Sequence, residues 1–459
     1  MNIQNQMKRL KFLLIAAITL LSAGMANAQQ VLSLQDCLRF ALDNNQNIAI
    51  KKYEQLEGDQ KVVQARSQAL PQVNGNANFT DNFKKQVIVL PGELTGNPGT
   101  TTAVQMGTTY NPTASVDVSQ QLLNVGVFTA LKAAETGRHY YTLNTQLTEE
   151  QVINQVAQMY YQICATKASI KILNITIQNL EKLVASTDGQ YKSGLARKID
   201  LQRIQVKLTN TKTQLTEKEN QLVILGNNLK LSMGMQPGQE IAIAEIPLKD
   251  IEQKVSSDVA VAAFNLSNLT EMKILDVQKD LYTLQKKASQ AEYYPKLSAF
   301  ANYSYNGMSN SFGDMFKNGG SDVWYGTGAF GLRLSVPIFD GFNRRSKVAM
   351  DKIALKKLAQ QKEYTEISLN ASYNSAKLTL YNTLNAIRSQ QENVSLADEV
   401  YQSSSQNYNL GIASLTDLLD AENSFEDAQN AYTQALLNYK LAELETLKAT
   451  GNIKTLLNN

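Results

Sequence analysis

The stretch Gln72–Phe83, QVNGNANFTDNF, decides how the rest of the chain is read. Gln72, Asn74, Asn76, Asn78, Thr80 and Asn82 fall on one parity. Val73, Gly75, Ala77, Phe79 and Phe83 fall on the other, with Asp81 the exception. Successive side chains of a strand point to opposite faces, so this period describes a strand with one wet face and one dry face. Residues 110–122 repeat it, with Tyr110, Ala114, Val116, Val118 and Leu122 opposite Asn111, Thr113, Ser115, Asp117, Ser119 and Gln121. So do two later runs. One carries Leu297, Ala299, Ala301, Tyr303 and Tyr305 on its apolar parity, the other Trp324, Phe330, Leu332, Leu334, Val336 and Ile338. The expected strands are 72–86, 108–123, 296–307 and 323–339.

Runs of this length match a tilted membrane strand of about 9–11 residues. The connecting segments 87–109 and 307–322, rich in Gly, Thr, Asn and Ser, read as long exposed loops. Pro112 and Pro337 sit inside the runs, which is tolerable only near strand ends or edges. The same alternation would serve a soluble β-sandwich. Strand number narrows the choice. Four strands cannot close a barrel, and an open sheet edge cannot sit in lipid. Either several copies share one barrel or the sheet lies outside a membrane.

Helical seams follow the strands. Val156, Met159, Ile163, Thr166, Ile170, Leu173, Ile177, Leu180 and Val184 are spaced three and four apart without a break. Leu201, Ile204, Leu208, Thr211, Leu215, Lys218, Leu222, Leu225 and Leu229 continue the rule, as do Leu418, Ala421, Phe425, Ala428, Tyr432, Ala435, Tyr439 and Ala442. A sustained 3.5-residue repeat is the coiled-coil signal. A helix over 127–190 would be roughly 95 Å long. Glycine turns, Ser193-Gly194 and Leu410-Gly411, separate paired helices.

The chain also copies itself. Tyr191-x-x-Gly194-Leu195-Ala196-x-x-x-Asp200-Leu201 matches Tyr408-x-x-Gly411-Ile412-Ala413-x-x-x-Asp417-Leu418 at an offset of 217 residues. Leu70-Pro71-Gln72-Val73 matches Tyr294-Pro295-Lys296-Leu297, and Val118-Ser119-x-x-Leu122-Leu123-Asn124 matches Leu334-Ser335-x-x-Ile338-Phe339-Asp340. The expected division is a first repeat over 29–240, with helical hairpin 125–233 turning near 191–200. The second covers 241–459, with hairpin 342–450 turning near 408–417.

Residues 1–28 read as an export signal: Lys8, Arg9 and Lys11, then the apolar run Phe12–Leu21, then Ala26-Asn27-Ala28. Those three cations leave the remainder balanced at 41 basic and 41 acidic residues. A neutral body without a basic block argues against nucleic-acid binding. One histidine, His139, and two distant cysteines, Cys37 and Cys164, leave little for a His/Cys metal site, and no cofactor is expected. The two thiols could pair outside the cytoplasm or stay apart and buried. No phosphate loop or nucleophile elbow appears, so an enzyme is not expected.

Together these features resemble the TolC family of bacterial outer-membrane efflux proteins. The resemblance is carried by Leu32-Ser33-Leu34-x-x-x-Leu38-x-x-Ala41-Leu42-x-x-Asn45, by Leu70-Pro71, by Val336-Pro337-Ile338-Phe339-Asp340-Gly341 and by the two Tyr-x-x-Gly tips. It implies an α+β membrane protein built by internal duplication. Its long coiled-coil hairpins would form a periplasmic α-barrel, and each chain of a homotrimer would give four strands to a twelve-stranded transmembrane β-barrel. A belt of shorter segments, here 32–46, 231–265 and the C-terminal tail, would surround it. The working object would be a passive outer-membrane exit duct of a tripartite efflux pump or type I secretion system. Its partners would be outer-membrane lipid, a periplasmic adaptor and an inner-membrane transporter.

The resemblance also assigns residues. Asp417 and Asp420 take positions of acidic, cation-selective rings at the periplasmic constriction. From the residues themselves, the two share a helix face, and Ser414-Leu415-Thr416-Asp417 has the form of a capping box. Asp200 and Tyr408 take positions that bridge neighbouring hairpins in the closed state. Ala413 stands where some relatives carry a basic residue. Gly194, Leu195, Ala196, Gly411, Ile412 and Ala413 would be the adaptor-contact tips. Tyr110, Tyr303, Tyr305, Trp324 and Phe330 would suit aromatic girdles. The rival reading is a structural coiled-coil envelope protein without a channel.

Overall fold

The computed structural model describes residues 31–94, 96, 98–236, 238–239, 241–244, 264–313, 315 and 323–458. The expected signal at 1–28 and part of the expected belt, 245–263, lie outside the described residues. Two compact units emerge: one from Tyr53–Leu143 with Lys273–Glu363, the other from the rest of the chain. Each unit draws on both sequence repeats.

The first unit carries an antiparallel sheet in the order β2-β5-β7-β8. Its strands are β2 (Gln72–Asp81), β5 (Tyr110–Leu123), β7 (Lys296–Met308) and β8 (Val323–Ser335). The segment expected to be a loop, 87–109, instead folds into a second hairpin, β3 (Gln86–Pro91) against β4 (Thr101–Met106). Its β-branched run, Val87-Ile88-Val89, makes a paired strand cheaper than an open loop. Pro112 does lie inside β5. The ladder to β7 pairs Tyr110 with Ser309, then resumes at Thr113 with Asn306. The missing N–H of Pro112 falls in that gap. Pro337 lies beyond the end of β8.

Short turns join strands to helices α2 (Gln46–Ser67), α3 (Val125–Lys192), α5 (Thr270–Ala291) and α6 (Asn343–Asn409). The turn from β8 into α6 is held by Arg344, whose side chain is buried. Its guanidinium donates to Asp340 at 2.7 Å and to the carbonyls of Pro337 and Glu292 at 3.3 Å. It also stacks 5.0 Å from the Tyr293 ring. Gly341 and Phe342 both take positive φ, 63° and 69°, inside this turn. Phe342 sits there against its own preference, and Arg344 is the group able to hold it.

In the second unit the expected seams pack. Every seam position of α3, of α4 (Lys198–Met233) and of α7 (Leu415–Ala449) is buried or half-buried. The belt segments converge on one core. Leu38 and Ala41 of α1 (Leu34–Asn44) meet Ile153, Val156 and Tyr160 of α3, Met233, Leu444 and Ile453. The two-residue strands β1 (Val31–Leu32) and β6 (Ala242–Ile243) pair beside it. Gly234 closes α4 at φ 80°, where a Cβ would lie 2.2 Å from the Asn44 carbonyl oxygen. Cys37 and Cys164 lie at this core without a disulfide between them, and burial pushes the Cys37 thiol up to about 12.

Arg344→Ala leaves Asp340 and two carbonyls without their donor. It is expected to destabilise the protein by about 3 kcal/mol. A denaturant midpoint equal to wild type would show that the turn does not depend on this side chain.

Candidate functional site

Two places carry the functional chemistry, the sheet in one unit and the hairpin tips in the other.

The strand register brings the four apolar parities together. Val73 lies opposite Val118, Val118 opposite Ala301 and Ala301 opposite Phe330. Val116 lies beside Tyr303, and Leu297 beside Leu334. All four strands therefore turn their apolar residues to the same side. Tyr110, Tyr303, Tyr305, Trp324 and Phe330 fall on that side too, and Tyr305 stacks on Trp324 at 5.3 Å. The other side is a polar wall. Asn76 and Ser115 both donate to the Asp117 carboxylate, at 2.9 and 3.1 Å, and Asn306 donates to Thr327. Phe300 is an apolar exception, covered by Arg333 at 5.2 Å. Both edges of the sheet, β2 and β8, are open among the described residues. The apolar side is exposed: Phe330 is 91% and Leu332 66% accessible. A soluble sandwich would bury that side against a second sheet.

The two hairpin tips are geometric copies. Gly194 and Gly411 each have φ 75°. Gly194 N–H donates to Tyr191 at 3.0 Å and Leu195 N–H to Gln190 at 2.8 Å. Gly411 donates to Tyr408 and Ile412 to Asn407 at the same two distances. This is the Schellman closure, and its left-handed residue is the reason for glycine. Ala196 and Ala413 lie next in the chain and donate to the same Gln190 and Asn407 carbonyls. The residues that follow each glycine, Leu195 and Ile412, stand 83% and 74% exposed.

The matching aspartates have different partners. Asp417 sits three residues after the N-cap Ser414 in a complete capping box, accepting from Ser414 Oγ at 2.7 Å. These bonds hold its carboxyl below the usual range. In the other hairpin the N-cap is Arg197, whose side chain instead grips Asp200 at 2.8 and 3.0 Å and lowers its pKa. Asp200 is therefore paired within its own tip. Tyr408 packs with Leu180, Ile204 and Leu415, and no hydrogen bond joins it to Asp200 among the described residues. Asp417 and Asp420 are both exposed.

The sequence reading missed what joins the hairpins. Arg203 on α4 donates to Thr416 at 3.1 Å, and Lys207 pairs with Glu426 at 3.2 Å. Glu422, one turn before Glu426 on α7, is buried, and burial pushes its carboxyl up to about 7. A heptad pattern marks which helix face is covered and does not show which acids share it, so these contacts had no sequence signal.

The chain matches the family described as outer membrane efflux protein over residues 38–235 and 253–452. It belongs to that family. Outer membrane protein TolC of Vibrio cholerae is 21% identical over 85% of this chain and 84% of its own length. Outer membrane protein TolC of Escherichia coli is 21% identical over 97% and 87%. The solved structure of outer membrane protein VceC from Vibrio cholerae superposes with a TM-score of 0.72 over 91% of this chain and 96% of that one, at 15% identity. This outer membrane efflux protein has the α+β fold of long helical hairpins, four strands per chain and internal duplication. Its place is the outer membrane, reaching into the periplasm.

An unfolded glutamate titrates near 4.5, so protonation of Glu422 favours the packed hairpins. Lys207 favours the charged form, and Glu426 and burial oppose it. This contribution is full below 4.5 and is lost as the pH rises through about 7. Hydrogen exchange of amides in 415–430 should speed up more across that interval in wild type than in Glu422→Gln. Equal responses would remove Glu422 as the titrating group.

Proposed function

We propose that three copies pair β8 of one chain with β2 of the next, closing one twelve-stranded barrel whose polar side lines a water-filled bore. The open four-stranded sheet, apolar on one side only, carries this reading. In hydrocarbon every edge N–H and C=O needs a partner, and further copies of the same edges supply them. A second feature agrees. Met350, Ile353, Tyr364, Ile367, Leu378 and Tyr381 recur along α6 every two heptads and are exposed on a single chain. A neighbouring copy would cover that stripe.

The helical hairpins would then ring a periplasmic tunnel ending at the tips. Asp417 and Asp420 would place six carboxylates around its mouth, favouring cations. The capping role of Asp417 is compatible with this, because one carboxylate can cap a helix and still contribute charge. Asp200 and Tyr408 would act in closure through their own hairpins, with Arg203 and Lys207 making the cross-hairpin bonds. Exposed Leu195 and Ile412, beside Gly194, Ala196, Gly411 and Ala413, offer apolar knobs to a periplasmic adaptor, which would link the duct to an inner-membrane transporter. The role is passive conduction, with no cofactor and no catalytic step.

In planar bilayers the purified protein should conduct and prefer cations. Replacing both Asp417 and Asp420 with Ala should lower that preference by roughly tenfold. Asp420→Ala alone should give part of the loss without touching the helix cap. A protein that never conducts would favour the structural coiled-coil reading. Unchanged selectivity would remove the acidic ring.

A further inference from the structure

A cavity with a volume of about 660 Å³ sits where the ends of α3, α5 and α6 meet the sheet. Its walls carry three cations, Lys287, Arg345 and Lys352, and no acid. None of the three has an ion-pair or hydrogen-bond partner among the described residues. Glu292 holds Lys347 at 2.9 Å and Asp340 holds Arg344. Asp351, whose Oδ2 is buried without a hydrogen-bond partner, does not line the cavity. These three exposed cations, with no acid among them, make the groove electropositive and suited to an anion. Tyr293 and Tyr294 complete the wall, and Tyr293 is fixed by the Arg344 guanidinium.

Backbone chirality places this cavity on the apolar side of the sheet. Ser309 and Tyr110 exchange backbone hydrogen bonds, so odd residues of β7 aim their N–H and C=O at β5. Their side chains lie on the apolar side. For L-residues that puts β5 to the right and β8 to the left of an upward β7 seen from that side. Helix α6 descends from β8 and turns Arg344 and Lys362 toward Glu292 and Asp276 at the α5 side. At about 100° per residue, Arg345, Ala349 and Lys352 lie roughly a quarter to a third of a turn clockwise from there, facing outward. Directly above, the apolar parity of β8 runs on past the strand end. Leu334, Val336 and Ile338 are 64%, 53% and 93% exposed. Cations, then tyrosines, then bare aliphatic residues is the order of a headgroup, an interface and an acyl layer.

We propose that this cavity binds the phosphate of an anionic glycerophospholipid from the periplasmic leaflet, with its acyl chains along Leu334, Val336 and Ile338. The site rests on the outer-membrane barrel reading. It would fix the depth of the barrel by charge at the rim as well as by the apolar band. A free phosphate shares the headgroup chemistry but would make no use of the aliphatic strip.

The test is native mass spectrometry of the full-length assembly, extracted in neutral detergent and incubated with phosphatidylglycerol, phosphatidylcholine or inorganic phosphate. Wild type should retain phosphatidylglycerol well above phosphatidylcholine. The triple variant Lys287→Gln, Arg345→Gln, Lys352→Gln should weaken phosphatidylglycerol retention roughly 100-fold. The charge-keeping variant Lys287→Arg, Arg345→Lys, Lys352→Arg should stay near wild type, which separates lost charge from lost folding. Equal retention of both lipids by wild type, or equal phosphatidylglycerol retention by wild type and the triple Gln variant, overturns the site. So does inorganic phosphate displacing the lipid completely at equal concentration, which would mean a phosphate site without a lipid strip. Bilayer conductance of the same preparations keeps the two readings apart. A conducting wild type without lipid preference sinks only this site, and a wild type that never inserts sinks the barrel and the site together.

Discussion

An unpaired strand edge in hydrocarbon is the constraint on which this molecule turns. One chain presents β2 and β8 with open edges and an exposed apolar face between them. The apolar face is unfavourable in water, and the open edges are unfavourable in lipid. Repeating the chain around an axis removes both problems at once. The edges would pair, the apolar side would meet lipid, and the polar side, where Asp117 gathers Asn76 and Ser115, would enclose water.

The helices follow the same logic. Their internal seams are already filled within one chain, as the buried runs on α3, α4 and α7 show. The stripe on α6 is left bare. Seams satisfied inside the chain make a stiff hairpin, and a seam left open prepares it for a neighbour. The two tips show how duplication and divergence work on one backbone. The Schellman turns agree in their hydrogen bonds, while the N-cap of the following helix differs, Arg197 in one and Ser414 in the other. That single difference converts a capping aspartate into an ion-paired one.

Charge is sorted among the sites. Exposed acids, Asp417 and Asp420, stand at the tips. A buried carboxylate, Glu422, lies behind them between hairpins, and free cations collect at the junction with the sheet. A net charge near zero conceals this separation, which is why composition could exclude partners but could not locate any.

Much of the fold is legible in the amino-acid sequence. Period two in QVNGNANFTD and its three counterparts, and period 3.5 in the run from Val156 to Val184, are local consequences of backbone geometry, so the chain alone determined the strands, the seams and the glycine tips. The hairpin at Gln86–Met106 was missed because a Thr- and Gly-rich composition outweighed a short β-branched run. What only the tertiary structure decided is pairing between distant positions: that all four apolar parities share one side, that Asp200 turns to Arg197, that Lys207 meets Glu426, and that Lys287, Arg345 and Lys352 surround one space. Periodicity fixes the direction of a side chain about its own axis. Register and packing between elements set what it faces, and those depend on contacts tens to hundreds of residues apart.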